Sequence, residues 1–149
     1  MCMALEKQCK CGKERARLHH GNSVLPAEAM KNLYCPACSG TVNVDSASMI
    51  ADNGWIVEYD MEVAQLYASQ MGRPKEELNP VFIFDEGFCS WQGFTPNDLE
   101  KANEEKTTLA KVAKEDTRKY LELIREWSIN REQQLAKEGW RKARQALAV

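Results

Sequence analysis

The sequence predicts an α+β chain with a cysteine-bearing N-terminal segment, a small mixed α/β middle and a long C-terminal helix or helical hairpin. Three observations predict it. Four of the six cysteines stand in two close pairs, Cys9/Cys11 and Cys35/Cys38. Between residues 45 and 95, short β-type and helix-type runs alternate, punctuated by Gly and Pro. From Asn97 to Val149 there is one glycine, Gly139, and no proline, in a stretch rich in Ala, Glu, Lys, Leu, Gln and Arg, all good helix formers. The expected boundaries are 1–44, 45–95 and 96–149. The first two segments are expected to pack together and the third to form an arm.

The 149 residues are 44% hydrophobic and 28% charged, the balance of an ordinary globular chain. They hold no apolar run long enough to span a bilayer. No apolar stretch of signal-peptide length follows Met1, so the expected location is cytoplasmic. There, six cysteines favour a metal site over disulfides. The net charge of -2 hides an uneven distribution. Residues 1–44 carry six Lys and Arg against three Asp and Glu; residues 45–100 carry two against eleven; residues 101–149 carry twelve against eight. An acidic middle repels phosphates, so nucleic acid is a possible partner but not the favoured one. A larger protein is the favoured partner, and a membrane is not expected.

In Tyr34-Cys35-Pro36-Ala37-Cys38-Ser39-Gly40 two thiolates separated by two residues can grip one tetrahedral ion. Pro36 sets the turn, and Gly40 is expected to let the backbone fold back toward the sulfurs. Cys9-Lys10-Cys11-Gly12 is a tighter pair, with a glycine where a positive φ is often needed. Over residues 9–40 this arrangement resembles a zinc ribbon. Its Cys-Pro-x-Cys knuckle is similar to that of rubredoxins and many small zinc domains. The match is carried by Cys35, Pro36, Cys38 and Gly40; Cys9 and Cys11 are spaced more closely than the usual knuckle. The expected ligands are Cys9, Cys11, Cys35 and Cys38, holding one Zn2+ or, alternatively, one Fe. Cys2, His19 and His20 are the spare donors. The two histidines end an expected strand, Arg15–His20, before the Gly21-Asn22 turn, where exposure is the simpler reading. A closed four-thiolate site leaves no open position for water, so the ion would be structural.

The middle is expected to run as follows. Thr41–Asp45 reads as a strand, Ser46–Ala51 as a short helix, Asn53-Gly54 as a turn and Trp55–Tyr59 as a strand with Trp55, Val57 and Tyr59 on one face. Met61–Met71 reads as a helix stopped by Gly72, and Pro74 opens a short acidic turn. Val81-Phe82-Ile83-Phe84 reads as a buried strand leading into a loop. Phe82, Phe84, Phe88, Trp91 and Phe94 fall within thirteen residues. They complete a core or, in the loop, present a docking surface. No nucleophile elbow, HExxH or phosphate-binding glycine loop is present. Asp85-Glu86 has no His, Lys or Arg beside it and reads as a solvated turn. No catalytic residue is therefore assigned.

Thr95-Pro96-Asn97-Asp98 suits a helix start. One helix is expected over about 96–127 and another, capped by Ser128, to about 147, with merger into one as the alternative. The heptad match is too poor for a long coiled coil. Candidate partner-binding residues are Phe88, Trp91, Phe94, Trp127 and Trp140. These features describe a metal-binding accessory or adaptor subunit with no visible active site. A nucleic-acid-associated zinc-ribbon factor, in transcription or translation, and a rubredoxin-like electron carrier are the alternatives that the resemblance implies.

Overall fold

A computed structural model describes residues 3–148; Cys2 lies outside the described residues. The chain forms two compact units, Met1–Gln92 and Gly93–Val149, each described by itself below. The fold is mixed, with two small antiparallel sheets in the first unit and a run of helices in the second. Among the described residues no helix is long and apolar enough to cross a membrane.

In the first unit, strands β1 (Met3–Gln8) and β2 (Arg15–His20) form a hairpin with Leu5 opposite Leu18. The cysteine pair Cys9/Cys11 occupies its loop. Strand β3 (Met30–Tyr34) leads into a single helical turn, α1 (Pro36–Ser39). Strands β4 (Met49–Asp52) and β5 (Trp55–Tyr59) flank Asn53-Gly54, whose φ values of 50° and 93° are both left-handed. That is the turn that matches strand twist in a two-residue hairpin. It pairs Asp52 with Trp55 and so forces residues 49–52 into a strand, not the expected helix. Thr41–Asp45 is likewise not a strand; it runs as turn and coil. Helix α2 (Met61–Leu66) is capped by Asp60, and Gly72, at φ 75°, ends the turns that follow it.

Residues 80–85 are helix α3 (Pro80–Asp85), not a strand. Asn79 accepts a 2.8 Å hydrogen bond from the Phe82 amide, and Pro80 sits at the first helical position. This side-chain cap and preset φ outweigh the β preference of a four-residue apolar run. The helix still buries Ile83 and Phe84. The two-residue strand β6 (Ser90–Trp91) then pairs with β2. The sheet orders are β1-β2-β6 and β3-β5-β4. Both sheets join residues before 45 to residues after 45, so the expected first two segments share one core.

Trp91 lies at the centre of that core. It is fully buried, its Nε1 donates to Asp52 at 2.7 Å, and its ring meets Trp55 and Phe84 edge-on at 6.0 and 5.7 Å. Tyr59, also fully buried, donates its hydroxyl to the Cys89 carbonyl. His20 is buried rather than exposed at a strand end; Nδ1 lies 3.2 Å from the Leu25 carbonyl and Nε2 3.8 Å from Cys89 Sγ. Burial lowers its pKa and keeps the ring neutral.

The second unit contains α4 (Leu99–Ala113), α5 (Thr117–Glu138) and α6 (Arg141–Ala148). The break falls at 114–116, not near 128, because Asp116 caps α5 by accepting from the Lys119 amide at 3.1 Å. Gly139, at φ 103°, ends α5 in a left-handed cap, with its N–H and that of Trp140 returning to Ala136 and Leu135. Before α4, the Asp98 carboxylate accepts from the Phe94 and Thr95 amides at 3.2 Å and pairs with Arg131 on α5. The Arg131 guanidinium also lies over Phe94 and Trp127, at 5.1 and 5.6 Å from the ring centres.

Two substitutions separate core from surface. Tyr59→Phe removes the donor to a buried carbonyl and is expected to cost about 1–3 kcal/mol in denaturant unfolding. Leu66→Ala, at a residue 78% exposed, is expected to change stability by less than about 0.5 kcal/mol.

Candidate metal centre

The β1–β2 loop and the β3–α1 junction carry the two cysteine pairs to one place. Local hydrogen bonds set the first. The Cys9 amide donates to the Glu14 carbonyl at 2.9 Å, closing the loop, and the Gly12 amide donates to the Cys9 carbonyl at 3.0 Å. Gly12 takes φ 78°, as its position after the pair suggested. At the second pair, Cys35 precedes α1 in an extended conformation, Pro36 fills the first helical position, and the Cys38 and Ser39 amides return to the Cys35 carbonyl at 3.0 and 2.9 Å. The Lys10 amide donates to the Leu33 carbonyl at 2.7 Å, tying one half to the other. Gly40 differs from expectation. Its φ is -62°, and a Cβ there would meet nothing within 4 Å. Its place in the knuckle does not require a glycine.

Successive sulfurs lie close: Cys9 to Cys11 at 3.0 Å, Cys11 to Cys35 at 3.4 Å and Cys35 to Cys38 at 3.6 Å. All four are within 4.8 Å of one another, and none is in a disulfide. A tetrahedron with arms of about 2.3 Å has edges of about 3.8 Å, so the four sulfurs are spaced to surround one ion. The cluster is consistent with a zinc-knuckle-like site. An all-sulfur set suits zinc and a single iron alike. His19 and His20 are not part of the cluster.

Ionisation within the cluster is uneven. Burial opposes the charged form of Cys9, but hydrogen bonds from Cys11, the Glu14 amide, Cys35 and the Lys13 amide outweigh it and lower its pKa to about 6. Cys11 holds a proton against Cys9, and its pKa rises to about 12. The Glu14 amide lies 3.4 Å from Cys9 Sγ. Donors aimed at a sulfur favour the thiolate, the form that binds a metal.

Part of the support has no signal in the cysteine spacing. Ser39 Oγ donates to the Gly54 carbonyl at 2.7 Å, and Gly54 approaches Pro36 so closely that a Cβ would sit 3.4 Å from its ring. The β4–β5 turn thus braces the knuckle from outside residues 9–40. The Asn-Gly dipeptide announced the turn, but not its place beneath Pro36.

The aromatic candidates divide. Trp91 belongs to the buried core, which removes it from any surface of the folded unit. Phe88, Phe94, Trp127 and Trp140 are half-buried. Trp127 donates Nε1 to Glu105 at 2.6 Å, and Trp140 donates to Glu138 at 3.2 Å. Cys89 is buried away from the cluster, and burial pushes its thiol pKa up to about 12.

Comparison with protein-family models, with curated proteins and with solved structures finds no match. The class defined by fold and site is therefore a small α+β chain with a cysteine cluster at metal-binding distance.

The two glycines make a local test. Gly12→Ala places a Cβ at a left-handed φ and is expected to cost about 1–2 kcal/mol and to weaken metal retention. Gly40→Ala is expected to leave both within about 0.5 kcal/mol of the parent. Thermal unfolding and metal content measured on the same samples check this.

Proposed function

We propose that the protein is a non-enzymatic accessory or adaptor subunit, in which Cys9, Cys11, Cys35 and Cys38 hold one structural Zn2+ and the helical arm docks on a larger protein. The observation that carries the docking role is the thin core of the arm. Among the described residues of the second unit, only Thr95, Pro96, Ala102 and Ala143 are buried. The 22-residue α5 buries none of its residues, and Leu121 and Ile129 on it are 59% and 44% exposed. A helical hairpin gains most of its stability from an apolar face covered by something else. Here the helix ends are capped, Asp98 pairs with Arg131 and cations lie over the rings, while Leu121, Ile129 and Leu147 remain exposed. Phe94, Trp127 and Trp140 are the aromatic anchors offered by the second unit, and Phe88 is the one offered by the first.

The zinc assignment follows from the donor set. Four thiolates fill a tetrahedron and leave no coordination position for water or substrate. The ion would cross-link two segments of a unit whose sheets are short, rather than perform chemistry. The lysines at 7, 10 and 13 offset the surplus negative charge of such a site.

Metal analysis of the full chain from its native source tests the first half: about one zinc per chain is expected. Stoichiometric iron with visible absorption would instead make the protein an electron carrier. The second half is tested by copurification. A Trp127→Ala/Trp140→Ala variant should keep its zinc and lose a defined companion chain that the parent retains. Hydrogen exchange reads the arm directly. Fast exchange along α5 in the isolated chain, slowed in the complex, is expected; full protection in the isolated chain would sink the docking role.

A further inference from the structure

The four cysteines are not equally accessible. Cys9 and Cys35 are buried and Cys38 is half-buried, but Cys11 is exposed, between exposed Lys10 and exposed Gly12 at the loop tip. Its sulfur nevertheless lies only 3.4 Å from that of Cys35 on the other segment. An accessible thiolate beside a second sulfur within bonding reach is the arrangement that oxidation requires. Metal ligation supplies the deprotonated form.

We infer that Cys11 is a site of oxidative modification, at which hydroperoxides enter the cysteine cluster and from which a disulfide to Cys35 forms, releasing the bound ion; this rests on the tetrathiolate zinc reading above. The Cys11 thiolate attacks one peroxide oxygen. The O–O bond breaks, and the other oxygen leaves, taking up a proton to become water or, for an organic peroxide, an alcohol. Cys11 becomes the sulfenic acid. The Cys35 thiolate then attacks that sulfur, the S–S bond forms, and the hydroxyl leaves with a proton as water. Two thiolates lose two electrons, the peroxide gains them, and the ion keeps its oxidation state. Two of its four ligands are gone, and affinity falls with them. Cys9 is nearer to Cys11, at 3.0 Å. A bridge to it would have to close across Lys10 alone, a ring too short for unstrained disulfide geometry. Cys35 lies on a separate segment and escapes that limit.

The experiment uses the zinc-loaded full chain carrying Cys2→Ser and Cys89→Ser, so that only the four clustered cysteines remain. Hydrogen peroxide is added in sub-stoichiometric steps. A chromophoric chelator reads released zinc, and differential alkylation with peptide mapping reads each cysteine. The parent chain is run alongside, to show that the background substitutions change neither zinc content nor fold. Cys11 is expected to be modified about tenfold faster than Cys9 or Cys35. Zinc is expected to appear in step with the Cys11–Cys35 bridge and to rebind after dithiothreitol. First attack at another cysteine, a Cys9–Cys11 bridge, or zinc that stays bound at excess peroxide would each overturn the inference while leaving the zinc reading intact. A parent chain that holds no zinc overturns both.

Discussion

Four sulfurs within 4.8 Å cannot all be charged without a cation among them. Two like charges at the 3.6 Å separation of Cys35 and Cys38 repel by about 5 kcal/mol at the effective dielectric of a protein surface. Donors around Cys9 draw it toward the thiolate, while contact with Cys9 favours the protonated form of Cys11. A divalent ion would relieve the repulsion by placing one central positive charge among the sulfurs. The β1–β2 loop and the β3–α1 junction bring the four sulfurs into this volume, and the β4–β5 turn packs against Pro36 and Ser39 beside them.

That convergence has to be held by something other than the sulfurs, or the cluster would relax apart. The buried core supplies the frame. Trp91 on β6 hydrogen-bonds Asp52 on β4, and Tyr59 on β5 hydrogen-bonds the residue just before β6, so a two-residue strand fastens one sheet to the other. β2 and β3, the strands that carry the two cysteine segments, belong one to each sheet. Fixing the sheets to one another therefore fixes the distance between the cysteine pairs. Among the described residues of the second unit only Thr95, Pro96, Ala102 and Ala143 are buried. Its ends are fixed by caps at Asp116 and Gly139 and by Asp98, whose carboxylate serves two loop amides and one guanidinium.

What the sequence made legible follows the range of the interaction involved. The cysteine set, the Asn53-Gly54 turn, the Trp55–Tyr59 strand and the helical character after residue 96 all rest on local chemistry, and all were readable. The departures have local causes too, but of a kind in which two signals compete. At 80–85 the β preference of Val-Phe-Ile-Phe competes with the Asn79 cap and Pro80, and the cap decides. At 49–52 helix-compatible residues compete with a two-residue turn that demands a strand partner, and the turn decides. At 114–116 an Asp-Thr cap was hidden within uniformly helical composition. The burial of His20 was not legible and that of Trp91 was only one of two readings, because both depend on β6 pairing with β2 across some seventy residues of chain.

The exposure of Cys11 shows how such long-range placement shapes a site whose ligands are local. Lys10 must donate to Leu33 to join the two halves, and Gly12 must turn left-handed to close the loop onto Cys9. Both constraints fall on the immediate neighbours of Cys11 and leave it at the apex, outside the core that covers Cys9 and Cys35. The one-residue spacing matters for the same reason. A longer knuckle has room to form its own turn around both sulfurs. A single intervening residue lets one sulfur enter the core and leaves the other at the rim. The irregular half of the cysteine pattern is thus what makes the cluster asymmetric, with one side shielded by the sheets and the other open to solvent.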